Sequence, residues 1–381
     1  MKQTLNIMLL IGPSGEYDRG LLKGIAKYNN LQGLWSFHGT FGVPKEEIST
    51  KTIIDVDGIF ARYLTDLTES MKGIPTIVCK STNNDYSGLS TISLDCELIG
   101  KMGADHFLDR GFKNFAYCGR KDRQWSIERQ NSFCARIKQA GFEVHVYNEN
   151  KGIAKSFWEK KQERLAEWLK SQPKPLGLMA CNDNRAQHVL HACQIAGLKV
   201  PDSVAILGVD NDELICNLTN PPISSVQLNF ERAGYEAAEL LDKLMIGTEK
   251  ENRQITVQPI AIITRQSTDI FAIEDSDVVN ALRFIRDNFH LPINVKDVFE
   301  NINISRRSLE LRFNRTIGRT IASEIRRVRS QHASRLLTET NLPIKQIAKH
   351  LGYPDTTHVA RYFQKITGVS LQEYRKKYGQ R

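Results

Sequence analysis

The sequence predicts a two-lobed α/β domain followed by an all-α domain made of two helix-turn-helix units. Three observations lead there. Short apolar runs alternate with amphipathic stretches from Leu5 to about Arg265. One small pattern occurs twice between Val295 and Lys376. The excess positive charge is confined to the end of the chain: residues 275–381 hold 20 Lys and Arg against 10 Asp and Glu, whereas the preceding 274 residues hold 32 against 33.

In the first part, strands are expected at LNIMLLI, DGIF, TIVC, STISL, FAYCG, EVHVY, GLMAC, VAILGV and ITVQPIAII. Helices are expected at Arg19–Tyr28, Glu97–Asp109, Arg129–Ala140, Gln162–Ser171, Asn184–Ala196 and Glu231–Ile246. Buried β-runs alternating with helices argue for parallel, Rossmann-like sheets covered on both faces. The length exceeds one small doubly wound unit, so two lobes are expected. Ligands in such folds sit beyond the carboxyl ends of the strands, and the loops there are polar. They offer Tyr17, Asp18 and Arg19 in GPSGEYDRG and Trp125 and Arg129 in RKDRQWSIERQ, then Asn182 and Asp183 in CNDN, and Asp210 and Asp212 in DNDE. Carboxylates, amides and guanidinium groups make paired hydrogen bonds to adjacent hydroxyls, and an aromatic ring covers an apolar sugar face. A small uncharged polyol is the natural guest. For Asp183 and Asp212 a helix N-cap is the competing reading.

The repeat carries the second half of the prediction. Val295, Val298, Phe299 and Ile302 align with Ile344, Ile347, Ala348 and Leu351 at an offset of 49. Leu309, Phe313, Gly318, Thr320 and Ile321 align with Val359, Phe363, Gly368, Ser370 and Leu371 at an offset of 50. Such a repeat implies two related supersecondary units. Each reads as a helix, a turn, an N-cap at Ser305 or Asp355, and a second helix with a narrow apolar stripe and a basic polar face. That is a helix-turn-helix, buried on one side and offered to the DNA major groove on the other. A helix from Val278 to Phe289 opens this domain. Ala322–Thr338 forms one long helix between the units, and Pro343 fits the start of the next.

The outward face of the first unit carries Arg306, Arg307, Glu310, Leu311 and Asn314, and that of the second offers Thr356, Thr357, His358, Arg361 and Gln364 for reading bases. Arg pairs with guanine, Glu accepts from cytosine, and Leu311 suits a thymine methyl. Arg312, Arg315, Arg319 and Lys365 are expected at phosphates.

Other signals are weak. The seven cysteines all precede residue 217 and form no C-x-x-C pair; they read as reduced thiols of a cytoplasmic protein. The N-terminal run reads as a strand rather than a signal peptide, and no stretch reaches membrane-spanning length. His188 and His191 have no third partner nearby, so no metal site is expected. GPSGEYDRG lacks the ending of a phosphate loop, and no nucleophile or zinc motif occurs. Asp18, Asp95, Glu128 and Asp210 would suffice for a hydrolytic carboxylate pair, but binding needs no less. A regulator, not an enzyme, is expected.

Residues 5–270 resemble the effector-binding domain of LacI/GalR repressors, itself similar to periplasmic sugar-binding proteins. The stretches that carry this are DGIF, IPTIV, SLDCELIGKMGADHFLDRGFKNFAYCG, CND, GVDND, PPISSV and ITRQST. In that family the positions of Arg129, Asn182 and Asp210 touch ligand. Residues 277–378 resemble the AraC/XylS DNA-binding domain, including the G-x-[ST]-[IL] step after each recognition helix. The two in this order resemble xylose-operon activators, a resemblance carried further by YDRG, WSIERQ and GVDND. It implies a periplasmic-binding-protein-like sensor over residues 1–270, a linker over 271–277 and an AraC-type DNA-binding domain over 278–381. It further implies a transcription activator that needs no cofactor and is controlled by a sugar effector, D-xylose or another pentose, with a non-sugar metabolite as the alternative. Its other expected partners are double-stranded DNA, RNA polymerase and a second copy of the chain.

Overall fold

A computed structural model describes residues 4–32, 35–39, 56–63, 71–80, 86–147, 157–302, 304–353 and 355–379. Two six-stranded sheets form the first part. One contains β1 (Leu5–Leu10), β2 (Trp35–Gly39), β3 (Gly58–Ala61), β4 (Thr76–Cys79), β5 (Ser90–Leu94) and β11 (Gln254–Val257), in the order β11-β5-β4-β3-β1-β2 and parallel throughout. The other contains β6 (Asn114–Cys118), β7 (Val144–Tyr147), β8 (Leu176–Ala180), β9 (Val204–Asp210), β10 (Ser224–Leu228) and β12 (Pro259–Ile263), in the order β12-β10-β9-β8-β6-β7. Only its edge strand β12 runs antiparallel.

The run ITVQPIAII, expected as one strand, is therefore two strands in two sheets. The chain changes lobe at Gln258. It does so twice more, at Asp95 and at Asn229. These crossovers are joined by backbone hydrogen bonds, Asp95 N–H to Val257 O (3.1 Å) and Asn229 N–H to Gln258 O (3.0 Å). Strands β2 and β10 were not anticipated. WSFHG and SSVQL are short and interrupted by polar residues. In β10, Ser224 and Ser225 are nevertheless fully buried, because each hydroxyl finds a partner, and a satisfied hydroxyl is no longer costly to bury.

Helices α1 (Glu16–Gln32) and α7 (Phe230–Met245) lie together on the first lobe. They approach so closely that a Cβ on Gly24 would lie 1.9 Å from Glu231 O, and one on Gly234 would lie 2.1 Å from Leu21 O. On the second lobe α2 (Cys96–Leu108) packs on α3 (Gln124–Gln139), and α4 (Trp158–Ser171) on α5 (Asp183–Ala196). A short α6 (Glu213–Leu218) follows the β9 loop. All seven cysteines are free thiols, and all but Cys134 are buried. Among the described residues no helix is long and apolar enough to cross a membrane, and no group of three or more residues could hold a metal ion.

The helical part comprises α8 (Ser276–Asn288), α9 (Val295–Glu300), α10 (Arg306–Ile317), α11 (Ile321–Glu339), α12 (Ile344–His350), α13 (Thr356–Thr367) and α14 (Leu371–Tyr378). Each copy of the repeat has its own core. Val298, Ile302, Leu309, Phe313 and Ile321 belong to one, and Ile347, Ala348, Leu351, Val359, Phe363 and Leu371 to the other. Ser305 and Asp355 cap the second helix of each pair through their side chains, and Gly318 and Gly368 end those helices with φ of 74° and 79°. The acidic stretch 269–277 is tightly held. Phe271 and Ile273 join the first helical core, Asp275 caps α8, and Asp269 pairs with Arg286.

Gly24→Ala is expected to force α1 and α7 apart and to destabilise the protein by about 1–3 kcal/mol, measured as a lowered urea midpoint.

Candidate effector cleft and nucleic-acid interface

The carboxyl ends of both sheets face the gap between the lobes. From the first lobe, Asp18 is 6 % exposed. Its carboxylate takes a hydrogen bond from Ser14 (3.1 Å) and an ion pair from Arg62 Nε (2.8 Å). Burial pushes its pKa up against the pull of Arg62. The Arg62 guanidinium also lies over the Tyr17 ring at 4.4 Å, and Tyr17 meets Phe230 edge-on. Arg62 was not among the sequence candidates, although DGIF just before it was expected as a strand.

From the second lobe, Arg129 is 1 % exposed. It donates to Cys181 O, lies 4.9 Å from the Trp125 ring, and approaches Asp210 at 3.6 Å. Its Nε has no hydrogen-bond partner among the described residues. Burial pushes the Asp210 carboxyl up to about 6, against the pull of Arg129 and then Arg62. A buried cation with an unused N–H beside a partly protonatable carboxylate is a site made for a hydroxyl-bearing guest. Gln227, next to Asp210 in sheet register, likewise has a buried Oε1 without a partner. It escaped sequence reading together with its strand.

Asp210 and Asn211 have φ of 104° and 53°, a strained left-handed turn for residues with side chains. Asp183 holds that turn. Its carboxylate accepts Asp212 N–H (2.7 Å) and the Ser225 hydroxyl (2.6 Å), while Ser225 Oγ accepts Asn211 N–H (3.0 Å). Burial and the nearby Asp210 charge push Asp183 upward, opposed by these bonds. Asp183 therefore faces inward, while Asn182 caps α5 and Asp212 caps α6. Asp212 also reaches across the gap to Arg19 of the first lobe (2.6 Å). Two cavities lie near the Asp18–Arg62 and Arg129–Asp210 pairs, and of these four residues only Asp210 lines one of them. One of about 480 Å³ is lined by Arg19, Asp210, Asp212 and Gln227, and one of about 690 Å³ by Lys80, Asp95, Trp125 and Glu128. The structure thus brings Tyr17, Asp18, Trp125, Arg129 and Asp210 around the cleft and gives Asp183, Asp212 and Arg19 protein partners.

In the helical domain Arg306, Arg307, Glu310 and Leu311 are exposed along α10, as are Thr357 and Arg361 on α13, with Thr356 half-buried. Leu311 is 72 % exposed. Arg306 pairs with Glu310 at 3.2 Å, and Arg361 lies over Tyr362 at 4.9 Å. Arg312 and Arg319, expected at phosphates, are otherwise engaged. Arg312 pairs with Asp275 and Asp277, and Arg319 with Asp109 and Glu324. No sequence signal joined residues so far apart.

Residues 104–268 match the periplasmic binding protein-like domain family, and residues 299–377 match the helix-turn-helix domain family. A xylose operon regulatory protein of Haemophilus influenzae is 31 % identical over 387 residues, covering 98 % of this chain and 99 % of that protein. The chain belongs to the xylose operon regulatory protein family. The Escherichia coli member is 29 % identical, over 97 % of this chain and 96 % of its own. A solved xylose-binding transcription activator superposes over the full length of both chains with a TM-score of 0.61 at 27 % identity. As a member of this family, the chain is a DNA-binding transcription regulator rather than an enzyme.

Asp183→Ala strands the Asp212 N–H and the Ser225 hydroxyl in a buried place. A loss of about 1–3 kcal/mol is expected, measurable by urea unfolding.

Proposed function

We propose that the effector is D-xylose, held between the lobes by Arg129 and Asp210 with Asp18, Tyr17, Trp125 and Asn182 around it. In this reading Asp183 shapes the site from behind, and Arg19 and Asp212 border it where they meet across the gap. The observation that carries it is the fully buried Arg129 with an unused Nε beside Asp210, within a fold whose relatives are named for xylose. Residues 1–270 sense the sugar, 271–277 join the parts, and 278–381 bind double-stranded DNA through Arg306, Arg307, Glu310, Leu311, Thr356, Thr357 and Arg361. The regulator works in the cytoplasm as a homodimer that activates transcription by contacting RNA polymerase, and it needs no cofactor. A sugar controls it by favouring one lobe arrangement over another, which requires a difference in affinity for the two.

D-xylose is expected to raise the melting temperature of the intact protein, since a ligand that binds only the folded state stabilises it. Asp210→Ala and Arg129→Ala should abolish the rise. A screen in which no pentose shifts the transition would sink the sugar assignment. Sugar hydroxyls donate to the ionised Asp210, whose carboxyl is pushed up to about 6. Affinity should therefore be full above that pH and fall as the pH drops through it, as calorimetry at several pH values would show.

For DNA, Arg361→Ala should cost about 1–3 kcal/mol and relax the preference at one base pair. Arg315→Ala should weaken binding to all sequences alike and lower the salt slope by roughly one. Leu311→Ala should relax a preference for thymine. Unchanged base preferences of Arg361→Ala and Leu311→Ala in binding-site selection would refute those two roles, and an unchanged salt slope would refute that of Arg315.

A further inference from the structure

The DNA-binding domain is fastened to both lobes of the sensor, and each helix-turn-helix unit uses a different lobe. The first fastening is a closed ring of four charges. Asp109, the residue that caps the C-terminal end of α2 on the second lobe, meets Arg319 Nη1 with one carboxylate oxygen and Arg327 Nη1 with the other, both at 2.9 Å. Those two arginines are joined behind it by Glu324, at 2.5 Å from Arg319 and 2.7 Å from Arg327. Glu324 is only 3 % exposed. Arg319 lies in the turn that ends the first unit, and Glu324 and Arg327 lie on α11. Asp109 is the sensor's only member of the ring.

The second fastening is at the far end of the domain. The last turn of a helix leaves carbonyls without partners, and α14 offers two of them to the sensor. Asn229 Nδ2 donates to Tyr378 O (2.7 Å), and Arg232 Nη1 donates to Lys376 O (2.8 Å). Arg232 lies in the first turn of α7 on the first lobe. Asn229 is itself one of the three lobe crossovers, and its backbone N–H is bonded to the crossover at Gln258. Between the two fastenings runs α11, 19 residues long, against edge strand β12.

We propose that this two-point docking holds the lobes in the arrangement in which Arg19 meets Asp212, and that it is the contact through which sugar and DNA sense each other. A body attached to both lobes resists any rotation of one against the other, so docking and lobe arrangement are linked. Asp109 is the positioning residue for this linkage, because its carboxylate pairs directly with both Arg319 and Arg327. Undocking lets the lobes spread and weakens a ligand that needs both of them. The sugar half of this inference rests on the sugar reading above; the hold of the docking on the lobes does not.

The test is calorimetry of D-xylose binding to the intact protein without DNA, for wild type, Asp109→Asn, Arg327→Gln and the double variant. Arg327 is in the other domain and touches no cleft residue. Each single variant is expected to weaken binding about five-fold or more, the lower end of coupling between linked sites. The double variant should be no weaker than Asp109→Asn, since that substitution by itself removes both of the Asp109 contacts with the ring. A stoichiometry near that of wild type shows that the variants are folded. Affinities within about twofold of wild type, or tighter, would overturn the proposal. If wild type itself gives no heat with D-xylose, the sugar reading fails, and amide hydrogen exchange decides this one separately. Residues 105–112 and 319–327 should exchange faster in Asp109→Asn than in wild type, and equal rates would overturn it.

Discussion

Among the described residues three stretches of backbone pass between the lobes, and they are bonded to one another at Asp95, Val257, Gln258 and Asn229. This constraint underlies the rest of the molecule. Crossovers tied side by side limit the relative movement of the lobes to a few soft backbone torsions, the usual substance of a hinge. The cleft residues arrive on opposite sides of that hinge, Asp18 and Arg62 from one lobe and Arg129 and Asp210 from the other. A guest small enough to touch both pairs binds one lobe arrangement better than others, and that difference is what a regulatory ligand must supply.

Buried charge makes the cleft selective. Arg129 lies out of solvent with an N–H unused, and Asp210 is held in a strained turn by the inward-facing Asp183. An uncompensated buried polar group is expensive, so the site favours a guest that completes these hydrogen bonds over one that merely fills the space. The same balance of burial and pairing recurs where the domains meet. The ring-forming Glu324 would be pushed up by burial alone, yet Arg327 and Arg319 bring it down to about 2. It therefore remains charged throughout the neutral range. Its contribution to stability is present above the ordinary glutamate pKa and is lost only as the pH falls towards 2.

Much of this was legible in the sequence because it rests on local rules. The duplicated apolar spacing became two separate helical cores, and Ser305 and Asp355 became the caps that a polar residue before a helix promises. The strand-end loops at Tyr17–Asp18, Trp125–Arg129 and Asp210 converge because parallel sheets put such loops at one edge. What escaped was non-local. Strand β10 is half serine and polar, and it is a strand only because Asp183, Arg265 and Ser267 satisfy it. Gln227 was hidden with it. ITVQPIAII looks like one strand because apolar runs do not record a change of sheet. Arg312 and Arg319 carry the charge expected of phosphate contacts, but Asp275 and Asp277 hold the one, and Asp109 and the nearby Glu324 hold the other.

The most direct measurement is an anisotropy titration of the intact protein on a duplex that the protein itself selects from a random-sequence pool, with and without saturating D-xylose. Linkage requires that if the sugar changes DNA affinity by some factor, DNA changes sugar affinity by the same factor. A change of about five-fold or more, reproduced in the reverse titration, is what lobe arrangement coupled to docking predicts. Equal DNA affinities in the presence of bound D-xylose would contradict it.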